Sequence, residues 1–142
     1  MGISIRKLLY GATWVIALGY LLFINYSRQN EHQQAVRKAI ENNQVTNNSY
    51  TAFAVGMYAE AISLAEEAIR LMPDDALGYY VRGASRLKLL HQQGKHQDLS
   101  ELARCKHDLL RAQQLTEKDI MKNFCAEFLQ NIAEFEKRAS ER

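Results

Sequence analysis

Proline occurs once and glycine seven times in 142 residues, which excludes a collagen-like chain, a low-complexity linker and a loop-rich sandwich. The two cysteines are too few for a disulfide framework. Charge of one sign is also scarce. Arg6 and Lys7 precede all 16 acidic residues, so the other 16 of the 18 basic residues are matched and the net charge of +2 arises at the start. A neutral body has no footprint for nucleic acid, whose affinity comes from neutralising phosphates, and no nucleic-acid partner is expected.

Chemistry-bearing patterns are missing as well. The chain has no Gly-rich phosphate loop, no H-E-x-x-H, no G-x-S-x-G and no C-x-x-C. His91 and His96 stand five apart, off the i,i+4 spacing that places two ligands on one helical face. Cys105 and His107 are two apart, and helical side chains at that spacing point away from each other. The carboxylate pairs Glu66-Glu67 and Asp74-Asp75 are adjacent, which splays them and makes no acid/base dyad. The expectation is no enzyme, no metal, no cofactor and no small-molecule substrate.

What is present divides sharply. Length predicts one small domain, and 47% hydrophobic with 24% charged residues is ordinary globular composition. The opening stretch is nearly uncharged and the rest is polar. Leu8 to Ile24 reads LLYGATWVIALGYLLFI, 17 residues without a charge, about 26 Å of helix at 1.5 Å per residue. That is the short end of what spans a hydrocarbon core. Tyr10 and Tyr26 fall where an interfacial aromatic belt belongs. A cleaved signal peptide has a similar basic start but a shorter apolar region ending in small residues, whereas the exit here is Phe23-Ile24-Asn25-Tyr26-Ser27. A buried core helix this apolar lacks matching partners downstream. Arg6 occupies the position where Ser or Thr is expected for myristoylation at Gly2. Residues 1–27 are read as a transmembrane anchor contacting lipid through residues 8–24. Arg6 and Lys7 favour a cytoplasmic N-terminus, with Arg28, Arg37 and Lys38 weighing against it. Thr13 and Ala17 are a small-xxx-small pair able to seat a neighbouring helix, or simply to face lipid.

Beyond the anchor, period-2 alternation is absent and helical periodicity recurs, so the fold class is all-α. Residues 28–50 are read as a polar stalk helix and linker, the Asn-rich NNQVTNNSY of 42–50 interrupting the helix because Asn competes with its own backbone. Gly56 predicts a turn and Tyr58 opens a helix to about Leu71. Pro73-Asp74-Asp75 is a break and N-cap, followed by a helix from Ala76 to about Leu90. Asp98 caps a helix over Leu99–Leu115. Thr116-x-x-Asp119 resembles a capping box ahead of a last helix to about Arg138. The stripe Ile120, Phe124, Phe128, Ile132 and Phe135 on that helix reads as core, with a docking face as the alternative.

An internal repeat organises these helices. Gly56-x-Tyr58-x-Glu60-Ala61-Ile62, then Ala68, Leu71 and Pro73, resembles the second half of a tetratricopeptide (TPR) repeat. Tyr79-x-x-Arg82-Gly83 falls on the aromatic-x-x-Leu-Gly signature of a first TPR helix. Cys105-x-x-x-Leu109, Ala112 and Leu115 then repeat the second-helix spacing. Ala68 to Ala112 is 44 positions against a repeat of about 34, so roughly ten residues are inserted, at the polar HQQGKHQ segment. Arg86 replaces a usual aromatic, Glu117 replaces the second proline, and the first helix of the first unit is poor. The resemblance implies TPR-like helical repeats over 51–116, with 117–142 as a capping helix. Gly56, Tyr58, Ala61, Ala68, Pro73, Tyr79, Gly83 and Ala112 become packing positions, and Gly83 is a close-contact point between helices.

By the same resemblance, stacked helix pairs make a concave face that binds proteins. Leu77, Tyr80, Ala84, Leu87 and Lys88 would line it; in the plainer reading Tyr80 and Leu87 pack on the last helix and Lys88 is solvated. Val81 stands where a carboxylate-clamp subclass carries Asn, which disfavours that mode. Arg82 and Arg86 are expected to pair with Glu66 and Glu67. Cys105 and Cys125 are expected to be buried free thiols, with a helix-to-helix disulfide as the alternative. The expected function is a membrane-anchored adaptor binding protein partners, an assembly factor or accessory subunit of a membrane complex. It resembles the anchored TPR proteins that assist biogenesis of bacterial envelope machinery. That places it in the bacterial inner membrane, with the mitochondrial inner membrane as alternative. The rivals are a structural accessory subunit of a bioenergetic or secretory complex and a cleaved, soluble periplasmic binding domain.

Overall fold

A computed structural model describes the backbone of residues 5–95 and 98–141, and side chains from Leu18 onward except Asn42. His96 lies outside the described residues. Five helices follow in order: α1 (Ile5–Ala54), α2 (Tyr58–Leu71), α3 (Ala76–Gln92), α4 (Leu99–Leu115) and α5 (Asp119–Ser140). No strand occurs among the described residues, so the all-α class is borne out. The chain divides into two compact units, Met1–Lys38 and Ala39–Arg142.

In the first unit the described side chains from Leu18 to Phe23 are exposed. Among the described residues no helix is long and apolar enough to cross a membrane. The earlier half of the uncharged run, Leu8–Ala17, lies outside the described side chains.

The second unit holds the core. Its helix starts follow from short polar side chains. The carboxylate of Asp75 accepts from the Leu77 backbone N–H at 3.1 Å, and that of Asp98 from Glu101 N–H at 3.1 Å, each satisfying a donor that the first helical turn leaves without a partner. Gly56 ends α1 at φ +84°, a conformation glycine adopts without the Cβ penalty. The Met57 N–H then reaches back to the Ala52 carbonyl at 2.9 Å.

Two local expectations need correction. The Asn-rich stretch 42–50 does not interrupt the helix; it is the continuation of α1. Thr46 and Ser49 are buried, and their hydroxyls donate to the Asp75 carboxylate at 2.9 Å and to the Thr46 carbonyl at 2.7 Å. Ala52 joins the core one turn later. Burial and satisfied hydroxyls outweigh weak propensity. Nor does Thr116 form a capping box. It closes α4, its hydroxyl accepts from Lys118 N–H at 3.2 Å, and α5 starts at Asp119 behind Lys118, which makes no side-chain cap.

Small residues set the helix spacing. α2 buries Ala61, Ala65 and Ala68 completely, giving a flat face that packs on α3. A Cβ built on Gly83 would lie 3.1 Å from Asp108 Cβ, Cys105 O and Leu109 Cγ, so α3 and α4 meet where the sequence predicts a close contact. α3 packs on α2, α4 and α5, and the core gathers around it from Tyr80, Val81, Ala84, Leu87, Leu102, Leu109, Cys125 and Ile132. Each fully buried large side chain among these contributes about 1.5–3 kcal/mol.

Candidate partner-binding cleft

α3 and α5 run parallel. Tyr80 meets Phe124 and Phe128 with ring centroids 6.3 and 6.0 Å apart, and further along His91 stacks on Phe135 at 6.3 Å. Phe53, from the end of α1, meets Tyr80 edge-on at 6.0 Å. Three helices therefore converge on one phenol ring. Its hydroxyl is pushed up to about 12 from the ordinary 10.0, mainly because burial penalises the phenolate.

The five residues assigned to a concave face do not share one environment. Tyr80 is 6% exposed, Leu87 is buried and Ala84 fully so; these three are core rather than open surface. α5 lies over Tyr80 and Leu87, its Phe128 meeting the Tyr80 ring and walling a hollow with Leu87. Leu77 is half-buried and Lys88 exposed, with the Lys88 ammonium 5.5 Å above the Phe128 ring. Pairing with the last helix, the plainer reading of Tyr80 and Leu87, is what the structure shows.

An open cleft nevertheless lies at the start of α3 and α5. Tyr50, Leu77, Tyr80, Lys118, Asp119, Ile120, Met121 and Phe124 enclose about 580 Å³. Ile120 is 72% exposed and Phe124 46%. The aromatic stripe of α5 thus splits: Ile132 is fully buried and Phe128 and Phe135 half-buried, while Ile120 and Phe124 overhang the cleft. Sequence reasoning missed Tyr50 because it sat in the presumed linker. The usable signal was that the stripe runs further toward the N-terminus of α5 than α3 and α4 can cover. A second, smaller hollow of about 230 Å³ lies further along the same pair of helices, between Leu87, Lys88, His91, Phe128, Asn131 and Phe135.

The packing positions are placed as follows. Ala61, Ala68, Gly83 and Ala112 are buried, Tyr58 and Tyr79 are half-buried, and Gly56 and Pro73 occupy exposed turns. Arg82 and Arg86 do pair internally, with one partner foreseen. Arg86 reaches Glu66 at 2.9 Å, whereas Glu67 is taken by Arg70 one turn away. The missed partner is Asp108 on α4, only 2% exposed, held by Arg82 Nε and Nη2 at 2.8 and 2.6 Å and by Arg86 at 3.2 Å. The hydrogen bonds to this carboxylate push the Arg82 guanidinium further above its ordinary range. A depression of about 440 Å³ is lined by Arg82, Arg86, Arg104, His107 and Asp108. Arg104 pairs with Glu101 at 2.7 Å, so each guanidinium there has a carboxylate partner. Cys105 and Cys125 are free and buried, and burial raises their thiols to about 12 and about 11. Among the described residues no group of three His, Cys, Asp or Glu side chains is placed to hold a metal ion. No family model matches the chain, and no curated protein or solved structure is significantly similar to it.

Proposed function

We propose that the chain is a membrane-anchored, TPR-like adaptor that binds protein partners as an assembly factor or accessory subunit of a membrane complex. The observation that carries this reading is the apolar cleft with Ile120 and Phe124 overhanging it. A soluble helical unit of this size can bury such side chains by extending a helix, and bare aromatic and aliphatic groups beside a concavity mark a site for another polypeptide. The repeat reading is supported by the close approach at Gly83, by the flat alanine face of α2 and by helices that pack in chain order. The anchor reading rests on the uncharged run Leu8–Ile24. Its described part leaves Leu18, Tyr20, Leu21, Leu22 and Phe23 exposed around the helix, a pattern suited to lipid or to other membrane helices.

Two measurements test this. A photo-crosslinking side chain at Ile120 or Phe124, in intact membranes, should give a discrete adduct with one protein, and the same group at exposed Glu60 on α2 should not. Equal labelling from both positions overturns the cleft as the docking face. Release of the chain from membranes by alkaline carbonate overturns the anchor.

A further inference from the structure

We infer that the occupant of the cleft is a short amphipathic segment of a partner protein. Its apolar anchors fill the hollow between Leu77, Ile120 and Phe124, and a carboxylate beyond them lies at Lys88. This rests on the adaptor reading above and names the chemistry of its partner.

Size selects a segment over a second copy of the chain. Eight side chains wall the main hollow, against the roughly 20–30 residues a side in a stable subunit interface. Charge then selects the sign. At the near end Lys118 and Asp119 stand side by side, and their fields largely cancel a short distance away. At the far end the Lys88 ammonium rests on the Phe128 ring at 5.5 Å, and no carboxylate lies within ion-pair distance of it among the described residues. The other walls of that hollow, Leu87, His91, Phe128, Asn131 and Phe135, carry no acidic group. The far end is therefore positive without internal compensation, and the side chain that complements it is acidic.

Spacing follows from the helix. Leu77, Tyr80, Ala84, Leu87, Lys88 and His91 recur three to four apart along one stripe of α3, so both hollows open along that stripe. Tyr80 and Lys88 are eight residues apart, about 12 Å at 1.5 Å per residue. The partner segment should carry its acid about 12 Å from its apolar anchors, two turns away if it is helical.

The test uses the full chain in detergent micelles and fluorescence anisotropy of labelled synthetic helical peptides. Each peptide has a Leu-x-x-x-Leu anchor and a Glu pair about two turns away; a second has the reverse polarity, and both are repeated with Lys for Glu. One Glu peptide should bind saturably and its Lys version roughly fivefold more weakly, the scale of one partly exposed charge pair. Lys88→Glu should invert that preference, Lys88→Arg should keep it, and Ile120→Asp should abolish binding of every peptide. Both positions are exposed, so the fold is not at stake, and unchanged far-ultraviolet dichroism checks this. Equal binding of the Glu and Lys peptides, a preference that survives Lys88→Glu, or no saturable binding by any peptide overturns the inference. If crosslinking from Phe124 still traps a single partner in that event, the adaptor reading stands and only its acidic partner falls.

Discussion

Replacing Gly83 by alanine should destabilise the helical unit even though alanine is the better helix former. In the interior of α3 the exchange gains about 1 kcal/mol of intrinsic helix propensity. Against that, the new Cβ meets three atoms at 3.1 Å, and none yields easily. Cys105 O is backbone in the middle of α4, so it moves only with the helix. Asp108 Cβ belongs to a side chain fixed by two guanidiniums, and Leu109 is fully buried. Overpacking of this kind costs about 1–3 kcal/mol, which leaves a net loss of up to about 2 kcal/mol. For a unit of about 100 residues that lowers the melting temperature by up to roughly 15 °C, read by circular dichroism on the full chain in detergent. Gly83→Leu should cost several kcal/mol and broaden or abolish the transition. A Gly83→Ala protein that melts above the parent refutes the close approach of α3 and α4.

Three further outcomes are expected. Asp108→Ala leaves Arg82 and Arg86 without their shared buried carboxylate and should cost about 2–3 kcal/mol in denaturant titrations, less than a fully buried pair because both guanidiniums keep some access to water. Ser85→Ala removes a buried hydroxyl that has no hydrogen-bond partner among the described residues, so stability should stay level or rise by up to about 1 kcal/mol; a loss above 1 kcal/mol would show that the oxygen has a partner. The thiols of Cys105 and Cys125 and the phenol of Tyr80 all titrate higher in the folded chain than their ordinary 9.0, 9.0 and 10.0. Above pH 9 the unfolded chain therefore releases protons that the folded chain keeps, and stability should decline from about pH 9 toward pH 12. The Cys105→Ala, Cys125→Ala double variant should flatten the first part of that decline, and a thiol reagent at pH 8 should label neither cysteine until the chain is unfolded.

Much of the architecture was legible in the residues. Asp75 and Asp98 announced two helix starts, Gly56 announced a turn, and apolar periodicity placed α2 and α4 within their observed bounds. The Asn-rich segment was not legible, because part of what holds it, the Thr46 hydroxyl on Asp75, comes from 29 residues away, and propensity scales see only neighbours. Asp108 was hidden for the same reason: one acid among polar residues looks solvated until α4 folds back and delivers it to Arg82, 26 residues distant. The cleft was half legible. Leu77 and the overhanging stripe of α5 could be read from spacing, but which of Tyr80, Ala84 and Leu87 remained open depended on where α5 lies, and no local pattern encodes that.

The carboxylate of Asp108 has a consequence for how uniquely the helices seat. Surfaces made of alanine, glycine and cysteine are smooth, and smooth surfaces tolerate sliding. A shift of α4 by one turn would carry Asp108 about 5.4 Å away, beyond the reach of both guanidiniums, and strand the charges of Asp108 and Arg82, while Arg86 would keep Glu66. Beside the close fit at Gly83, the ionic clasp across α2, α3 and α4 is a second lock on the same offset.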